Sequence, residues 1–497
     1  MGFGLGSLLY YAALCRRHDI GGRCLVLGRQ DVHMTFDEMC TLMVRARYFA
    51  KIGDVVRAPP ALTALRDAGD HLSQKAWMRE RGYLSDKAML AALGFLGCDS
   101  VDVSAYEQAD FIHDLNLPGL AAAVGRRYDT VLDPGTLEHV FDLASALANL
   151  FDVLEPGGIV IHNLAFGNHI DHGFYQFSPD FMLDYYEANG FEILGASVSR
   201  SFTNPNALGM VSLDYFRGAL DAKSDGGMDS GLYYADLIAR KTAQSTKGRY
   251  RVPDTLAGPA AQPFPMSALI QLCDMRARFG LSGRCLVLGA HPNFIDAANL
   301  RRILPDAVGD GALPERVVLR ALGFDDVTVL DTRAGPGVDL VADLNQVDPA
   351  LAARGPFDFV LDWGAASRLF RFVDYFRNLL AVTSVDGAVW HIAPSDNLFA
   401  RGPCMFSPTL LHDFYTTNSW DILEMHWVHV QSWHDDNWFK APYTAGALDW
   451  MCFGSASPGA HLVSALVRRR TDSTAERVPQ QSWFVRRTDF AEHLGEP

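Results

Sequence analysis

Histidine exchanges protons near neutral pH, and three histidines in this chain stand where apolar runs give way to loops. His139 follows Glu138 just after the run Tyr128–Asp133. His162 lies at the end of the next run, and His172 sits in the glycine-flanked aromatic loop His172-Gly-Phe-Tyr-Gln-Phe-Ser-Pro179. Each could take a proton from a reacting group. His172 reads either as a base or ligand contact or as a loop histidine bonded to backbone, and His139 equally as a base, a helix-start cap or a contact at a ligand's edge. His162 recurs later in the chain as His391, which favours a structural role. His169 and His172 are three apart with no acidic partner at a fixed helical distance, so no metal site is predicted.

These side chains need a scaffold, and the pattern supplies one. Arg23–Leu27 is a short apolar run closed by Gly28, as in a buried parallel strand. Asp102, Asp114 and Asp133 end further runs, and Ile159–Ile161 forms a fifth. Leu137–Leu154 carries apolar residues at helical spacing and stops before Pro156-Gly157-Gly158, and Pro179 opens a helix that ends at Asn189-Gly190. Phe191–Leu194 begins a sixth strand and Tyr234–Arg240 reads as the last. Alternating strands and helices predict a doubly wound parallel sheet, whose ligand crevice lies at the carboxyl ends of the strands. Gly28, Asp102, Asp114 and Asp133 all fall there.

The pattern occurs twice. Gly22-Arg-Cys-Leu-Val-Leu-Gly28 returns as Gly283–Gly289, a shift of 261. From Ala92-Leu-Gly-Phe95 onward the shift is 229, and it carries Asp102 to Asp331, Asp114-Leu-Asn116 to Asp343-Leu-Asn345 and Asp133 to Asp362. It carries His162 to His391 and Phe177-Ser-Pro179 to Phe406-Ser-Pro408. The first copy therefore holds about 32 extra residues between Thr35 and Asp86, which read as a lid, a partner surface or a surface elaboration. A Gly-, Pro-, Ser- and Thr-rich stretch separates the copies. The predicted domains are 1–245 and 262–497, with 246–261 as linker.

The 497 residues are 49% hydrophobic with a net charge of −15, which argues against broad nucleic-acid or anionic-membrane binding. Eight scattered cysteines form no CxxC pair and suit reduced thiols in a cytoplasmic protein. The apolar N-terminus lacks the positive start of a signal peptide and reads as a helix under the first strand. No run is long enough for a membrane span.

With these residues in place, the chain resembles the class I S-adenosylmethionine-dependent methyltransferase superfamily. More narrowly it resembles a bacterial group carrying Leu27-Gly-Arg-Gln30, Asp102, Asp133-Pro-Gly-Thr-Leu-Glu-His-Val-Phe141, Pro156-Gly-Gly158 and His172–Pro179. The resemblance spans nearly all of the first copy and, in degraded form, the second. It implies two tandem Rossmann-like domains of methyltransferase type, with S-adenosyl-L-methionine as cofactor. Gly28, Arg29 and Gln30 would lie against its methionine part, Asp102 would accept its ribose hydroxyls, and Asp114, Leu115 and Asn116 would frame the adenine. Asp133 and Gly135 would face the methyl group, so Asp133 joins His172 and His139 as a candidate catalytic residue. A carboxylate can accept both hydroxyls of a diol, and a loop without side chains lets backbone N–H groups approach a ligand. The chain departs from the superfamily in lacking GxGxG after the first strand. It also lacks the G-x-G-x-x-G of dinucleotide binding.

The second copy has Ser367-Arg368 for Glu138-His139, Val385-Asp386 for Pro156-Gly157, Arg401 for His172, and Pro292 in the loop after its first strand. It reads as a degenerate domain covering the first as a dimer partner would, with assembly into a larger oligomer left open. The predicted function is methyl transfer to a small-molecule, sugar or lipid-precursor acceptor by the N-terminal domain. The alternative is an inactive methyltransferase-like binding or scaffold protein.

Overall fold

The computed structural model describes residues 2–53, 55–201, 210–251, 264–291, 293–307, 309–433 and 438–485. Residues 252–261 of the predicted linker, and Pro292, lie outside them.

In the first half the sheet strands are β1 (Arg23–Leu27), β2 (Gly97–Asp102), β3 (Phe111–Ile112), β4 (Tyr128–Asp133) and β5 (Leu154–Gly167). A short β6 (Tyr175–Phe177) stands apart, and β7 (Glu192–Ser201), β8 (Met210–Asp214) and β9 (Leu232–Arg240) complete the set. The order across the sheet is β8-β7-β9-β5-β4-β1-β2-β3. Cys24 to Leu27 of β1 are all buried, as befits a central strand covered on both faces. Strands β1 to β5 run parallel, but β9 enters antiparallel between β5 and β7. The sheet is therefore mixed rather than wholly parallel. The order 3-2-1-4-5 is that of a doubly wound nucleotide-binding sheet, and the reversed last strand separates it from the all-parallel dinucleotide-binding form.

Residues 283–468 repeat the plan strand for strand: β10 (Gly283–Leu288), β11 (Phe324–Asp331), β12 (Leu340–Val341), β13 (Phe357–Trp363), β14 (Thr383–Asp396), β15 (Cys404–Phe406), β16 (Asp421–Val430), β17 (Phe439–Pro442) and β18 (Ala460–Arg468). Their order is β17-β16-β18-β14-β13-β10-β11-β12.

The halves join through β6 and β15, which pair antiparallel with Tyr175 opposite Phe406, Gln176 opposite Met405 and Phe177 opposite Cys404. Under the 229-residue shift Gln176 faces its own counterpart, so a local two-fold passes through that pair. Around it Phe141, Phe376 and Phe414 stack, with Phe376 and Phe414 centroids 3.8 Å apart, inside one apolar cluster drawn from both halves.

Two local departures from the sequence pattern shape the site. The run Leu137–Leu154 is not one helix but a tight turn, Leu137–His139, followed by a helix over Leu143–Val153. Asp133 Oδ1 accepts the N–H of Thr136 at 2.9 Å, and Asp142 caps the helix by accepting from Ser145 N at 3.1 Å. These side-chain acceptors satisfy the backbone at the break, where a continuous helix would have used its own carbonyls. The extra residues of the first copy form helices Phe36–Arg45, Pro60–Ala68 and Ala76–Glu80 with a small hairpin, Ala50–Ile52 and Val55–Arg57. The first of these helices starts in a Thr35–Glu38 capping box.

Candidate functional site

Strand ends β1, β2 and β4 of the first half open into a cavity of about 670 Å³. Gly28, Arg29, Gln30 and Asp102 line one side of it, and Asp114, Leu115 and Asn116 another. Gly135, His139 and His172 line it as well. Gly28 has φ of 68°, which disfavours any other residue. A side chain there would meet Thr136 Oγ1 at 3.2 Å and Asp102 Oδ2 at 3.9 Å, so the glycine and the acid lie side by side on neighbouring strand ends that line the cavity. Burial pushes the Asp102 carboxyl up to about 6, against the opposing N–H of Ser104.

Not every predicted residue is free to meet a ligand. Arg29 turns its guanidinium onto buried Asp86, with two bonds of 2.8 Å, and acts as a strut between the first-strand loop and the following helix. Asp114 Oδ1 accepts both N and Nδ2 of Asn116, whose Oδ1 in turn accepts Asp142 N at 2.8 Å.

The structure withdraws Asp133 from the cavity wall. It is fully buried, holds Nδ1 of His162 at 2.7 Å and caps the Leu137–His139 turn, so its oxygens are occupied. His162 Nε2 meets Tyr186 Oη at 2.7 Å. The second half repeats this set as Asp362, His391 and Tyr415, which marks it as scaffold.

At the turn, Glu138 is fully buried and neither of its carboxylate oxygens has a hydrogen-bond partner among the described residues. Burial, aided by the charge of Asp133, raises its carboxyl to about 8. His172 Nε2 lies 3.9 Å from Glu138 Oε1. Gly173 makes this approach feasible, because a Cβ there would fall 2.6 Å from the Glu138 carbonyl oxygen. The loop is also tied to the turn by Phe174 N donating to that same oxygen at 2.7 Å. His139 and His172 stand edge to face with centroids 5.0 Å apart. Burial lowers both imidazoles, His139 to about 4, so they are neutral and each offers a lone pair. No metal site was expected, yet one donor atom from each of Glu138, His139 and His172 lies within 4.8 Å of the others.

Sequence reasoning missed two walls of the cavity. Gln74, Lys75, Ala76 and Trp77 of the extra segment close over one side, and Lys75 bridges Asp31 at 2.8 Å and Glu107 at 2.7 Å. The indel itself was the only signal. The other wall comes from the second half: Cys452, Phe453 and Pro479 to Gln481, with Phe484. Gln481 Nε2 donates to the His172 carbonyl at 2.9 Å and the Asp171 carbonyl at 3.3 Å, while its Oε1 meets His139 Nδ1 at 2.8 Å. Ser482 N anchors the segment on Asp413 Oδ2 at 2.6 Å.

The corresponding crevice of the second half differs. Asp331, the counterpart of Asp102, is buried and accepts the N–H groups of Ala290 at 3.1 Å and Thr332 at 2.7 Å. Arg368, also largely buried, stands where His139 stands in the first half.

No protein-family model matches the chain. No curated protein matches it. Among solved structures, it is similar to the Burkholderia thailandensis 1,6-didemethyltoxoflavin-N1-methyltransferase with bound S-adenosylhomocysteine, at 13% identity over 41% of this chain and 79% of that one, with a TM-score of 0.24. It is similar to TehB from Haemophilus influenzae at 13% identity over 56% and 87%, TM-score 0.24. It is also similar to the Haemonchus contortus phosphoethanolamine N-methyltransferase 2 in complex with S-adenosyl-L-methionine, at 9% identity over 94% and 99%, TM-score 0.25. By its own strand order and register, the chain folds as two Rossmann-like, doubly wound α/β units, each with one antiparallel strand inserted near the sheet edge.

Proposed function

We propose that the first half binds S-adenosyl-L-methionine in this cavity and transfers its methyl group to a small-molecule, sugar or lipid-precursor acceptor. The observation that carries the reading is the pairing of Gly28, in a left-handed turn, with the neighbouring Asp102 carboxylate on the cavity wall at the carboxyl ends of β1 and β2. When bound, the cofactor supplies an electrophilic methyl group on a sulfonium. Asp102 accepts the hydroxyls of its ribose, and the Gly28 turn leaves room for the chain beside it. Leu115, with the Asp114–Asn116 turn behind it, bounds the base, and Gly135 keeps the β4 end open. His139 and His172 receive the acceptor on the far wall, where either neutral imidazole can take its proton. The extra segment and the C-terminal residues Phe453, Gln481 and Phe484 exclude water, which aligns acceptor and methyl group and suppresses hydrolysis.

In this reading the halves, 1–245 and 262–497, form an intramolecular pseudo-dimer in which the second completes the site of the first. The protein acts in the cytoplasm on a small substrate, and among the described residues no helix is long and apolar enough to cross a membrane. Calorimetry of the full chain tests it. S-adenosylhomocysteine should bind with one site per chain and NAD should not bind; absence of S-adenosylhomocysteine binding overturns the reading.

A further inference from the structure

The buried wall of the cavity poses a problem that methyl transfer alone leaves unsolved. A carboxyl group without a hydrogen-bond partner is costly to bury even as the neutral acid, and Glu138 is fully buried with both oxygens unpartnered among the described residues. His172 Nε2, 3.9 Å away, is likewise buried without a hydrogen-bond partner. Gln481 determines the third donor. Its Nε2 donates to two carbonyl oxygens, so its Oε1 must accept, and the proton on His139 therefore sits on Nδ1. That leaves the lone pair of His139 on Nε2. Three lone-pair donors thus converge, and among the described residues no hydrogen-bond donor meets Glu138 Oε1, Glu138 Oε2 or His172 Nε2.

We infer that Glu138, His139 and His172 form a binding site for a divalent first-row transition ion, zinc foremost, on the acceptor side of the cavity. Two imidazoles and one carboxylate are a donor set that zinc takes in catalytic sites, with a further position left to solvent or substrate. Two ligands on one such ion stand about 3–4 Å apart, given bonds of about 2.1 Å. The present mutual distances are all within 4.8 Å, so closing them takes shifts of about 1–2 Å at most, within reach of side-chain rotation. Gln481 then plays the outer partner that fixes the tautomer and ring orientation of a ligating histidine. The second half supplies a contrast within the same fold. At the three equivalent positions it has Ser367, Arg368 and Arg401, a set that repels a cation, and Arg401 is paired with Asp225.

Such an ion faces the space assigned above to the acceptor, and in that respect the inference rests on the proposed function. Its charge would acidify an acceptor hydroxyl held beside it. The O–H bond breaks, its electron pair stays on oxygen as the nucleophile, and the proton leaves through the cavity mouth to bulk water, because both imidazoles, once ligands, no longer take it.

The test uses the full chain freed of metal by a chelator, titrated with Co²⁺ by visible absorption and with Zn²⁺ by calorimetry. S-adenosylhomocysteine binding is measured on the same samples. One ion per chain is expected, with a Co²⁺ ligand-field band. His172→Ala and the near-isosteric Glu138→Gln should each lower the affinity at least about tenfold, and Gln481→Ala about tenfold to a hundredfold. Circular dichroism and retained S-adenosylhomocysteine binding identify folded variants. Failure of the wild type to bind either ion, or equal affinity in folded Glu138→Gln and His172→Ala, overturns the site. Ion binding without S-adenosylhomocysteine binding would leave the metal site standing and remove the methyltransferase reading; the reverse result would do the opposite.

Discussion

Gln481 and His139 lie 342 residues apart in sequence, yet the amide oxygen of one meets Nδ1 of the other at 2.8 Å. This contact makes the end of the second half part of the first half's site. The same amide holds the backbone of Asp171 and His172, so one side chain fixes both candidate bases. Gln481→Ala removes three bonds in a buried setting and leaves polar groups without partners, at about 1–3 kcal/mol. The expected outcome is a small loss of stability and a fall in turnover of about tenfold or more, with S-adenosylhomocysteine affinity nearly unchanged. Steady-state kinetics beside calorimetry separates these effects. A loss confined to cofactor affinity would contradict the placement.

Gly173 offers a sharper comparison, because the repeat supplies its own control. A methyl group at Gly173 would sit 2.6 Å from the Glu138 carbonyl oxygen, and one at Gly402 would collide in the same way with the Ser367 carbonyl. Both substitutions to alanine should force the loop off the turn and cost about 1–3 kcal/mol, read by denaturant unfolding. Only Gly173→Ala displaces His172 from Glu138, so only it should reduce activity by about tenfold or more. Equal losses of activity in the two variants would place the effect in general stability.

Asp102 gives a pH dependence with a defined sign. Burial disfavours its charge and raises its carboxyl to about 6, whereas a diol's hydroxyls are accepted by the ionised form. Ligand binding is therefore coupled to proton loss below about pH 6, and affinity must fall with pH there. S-adenosylhomocysteine should bind about tenfold more weakly at about pH 5 than at about pH 7. Asp102→Asn should bind weakly at both and show little dependence. Calorimetry across the range checks this, and a wild-type affinity flat between those limits would detach Asp102 from the ligand.

The two copies explain which features could be read from sequence. Residues kept in both halves are largely scaffold: Asp133 and Asp362 grip a histidine, and Asn116 and Asn345 turn the chain and accept from the next helix. Asn189 and Asn418 each accept from a threonine and an arginine N–H further along. Their recurrence made the strands and the crevice legible, because both copies face the same backbone requirements. The resemblance misled for Asp133, whose place at the fourth strand end implies a catalytic role until its hydrogen bonds to His162 and the following turn are seen. Residues that differ between the halves, Glu138, His139 and His172, build the distinctive wall. Their convergence depends on a break in a helical pattern and on Gly173, neither of which residue spacing reveals. The Gln481 wall was beyond reach of the sequence, since it follows from how the halves dock.

Docking of that kind predicts how many ligands the chain holds. In the first half the Asp102 carboxylate lines the crevice, where it accepts Ser104 N at 3.3 Å and the backbone N–H groups of Val103 and Arg29. In the second half Asp331 is only 4% exposed and already accepts from Ala290 and Thr332, and the buried Arg368 stands at the position of His139. What sets the second half apart is the Arg368 guanidinium, whose charge is attracted to the Asp331 carboxylate, so a ribose there would compete with it, whereas the neutral His139 makes no such claim on Asp102. The chain should therefore bind one S-adenosylhomocysteine, and Asp331→Ala should leave both stoichiometry and affinity unchanged while Asp102→Ala abolishes binding. Two equal sites by calorimetry, or loss of binding in Asp331→Ala, would show that the second half carries a working site of its own.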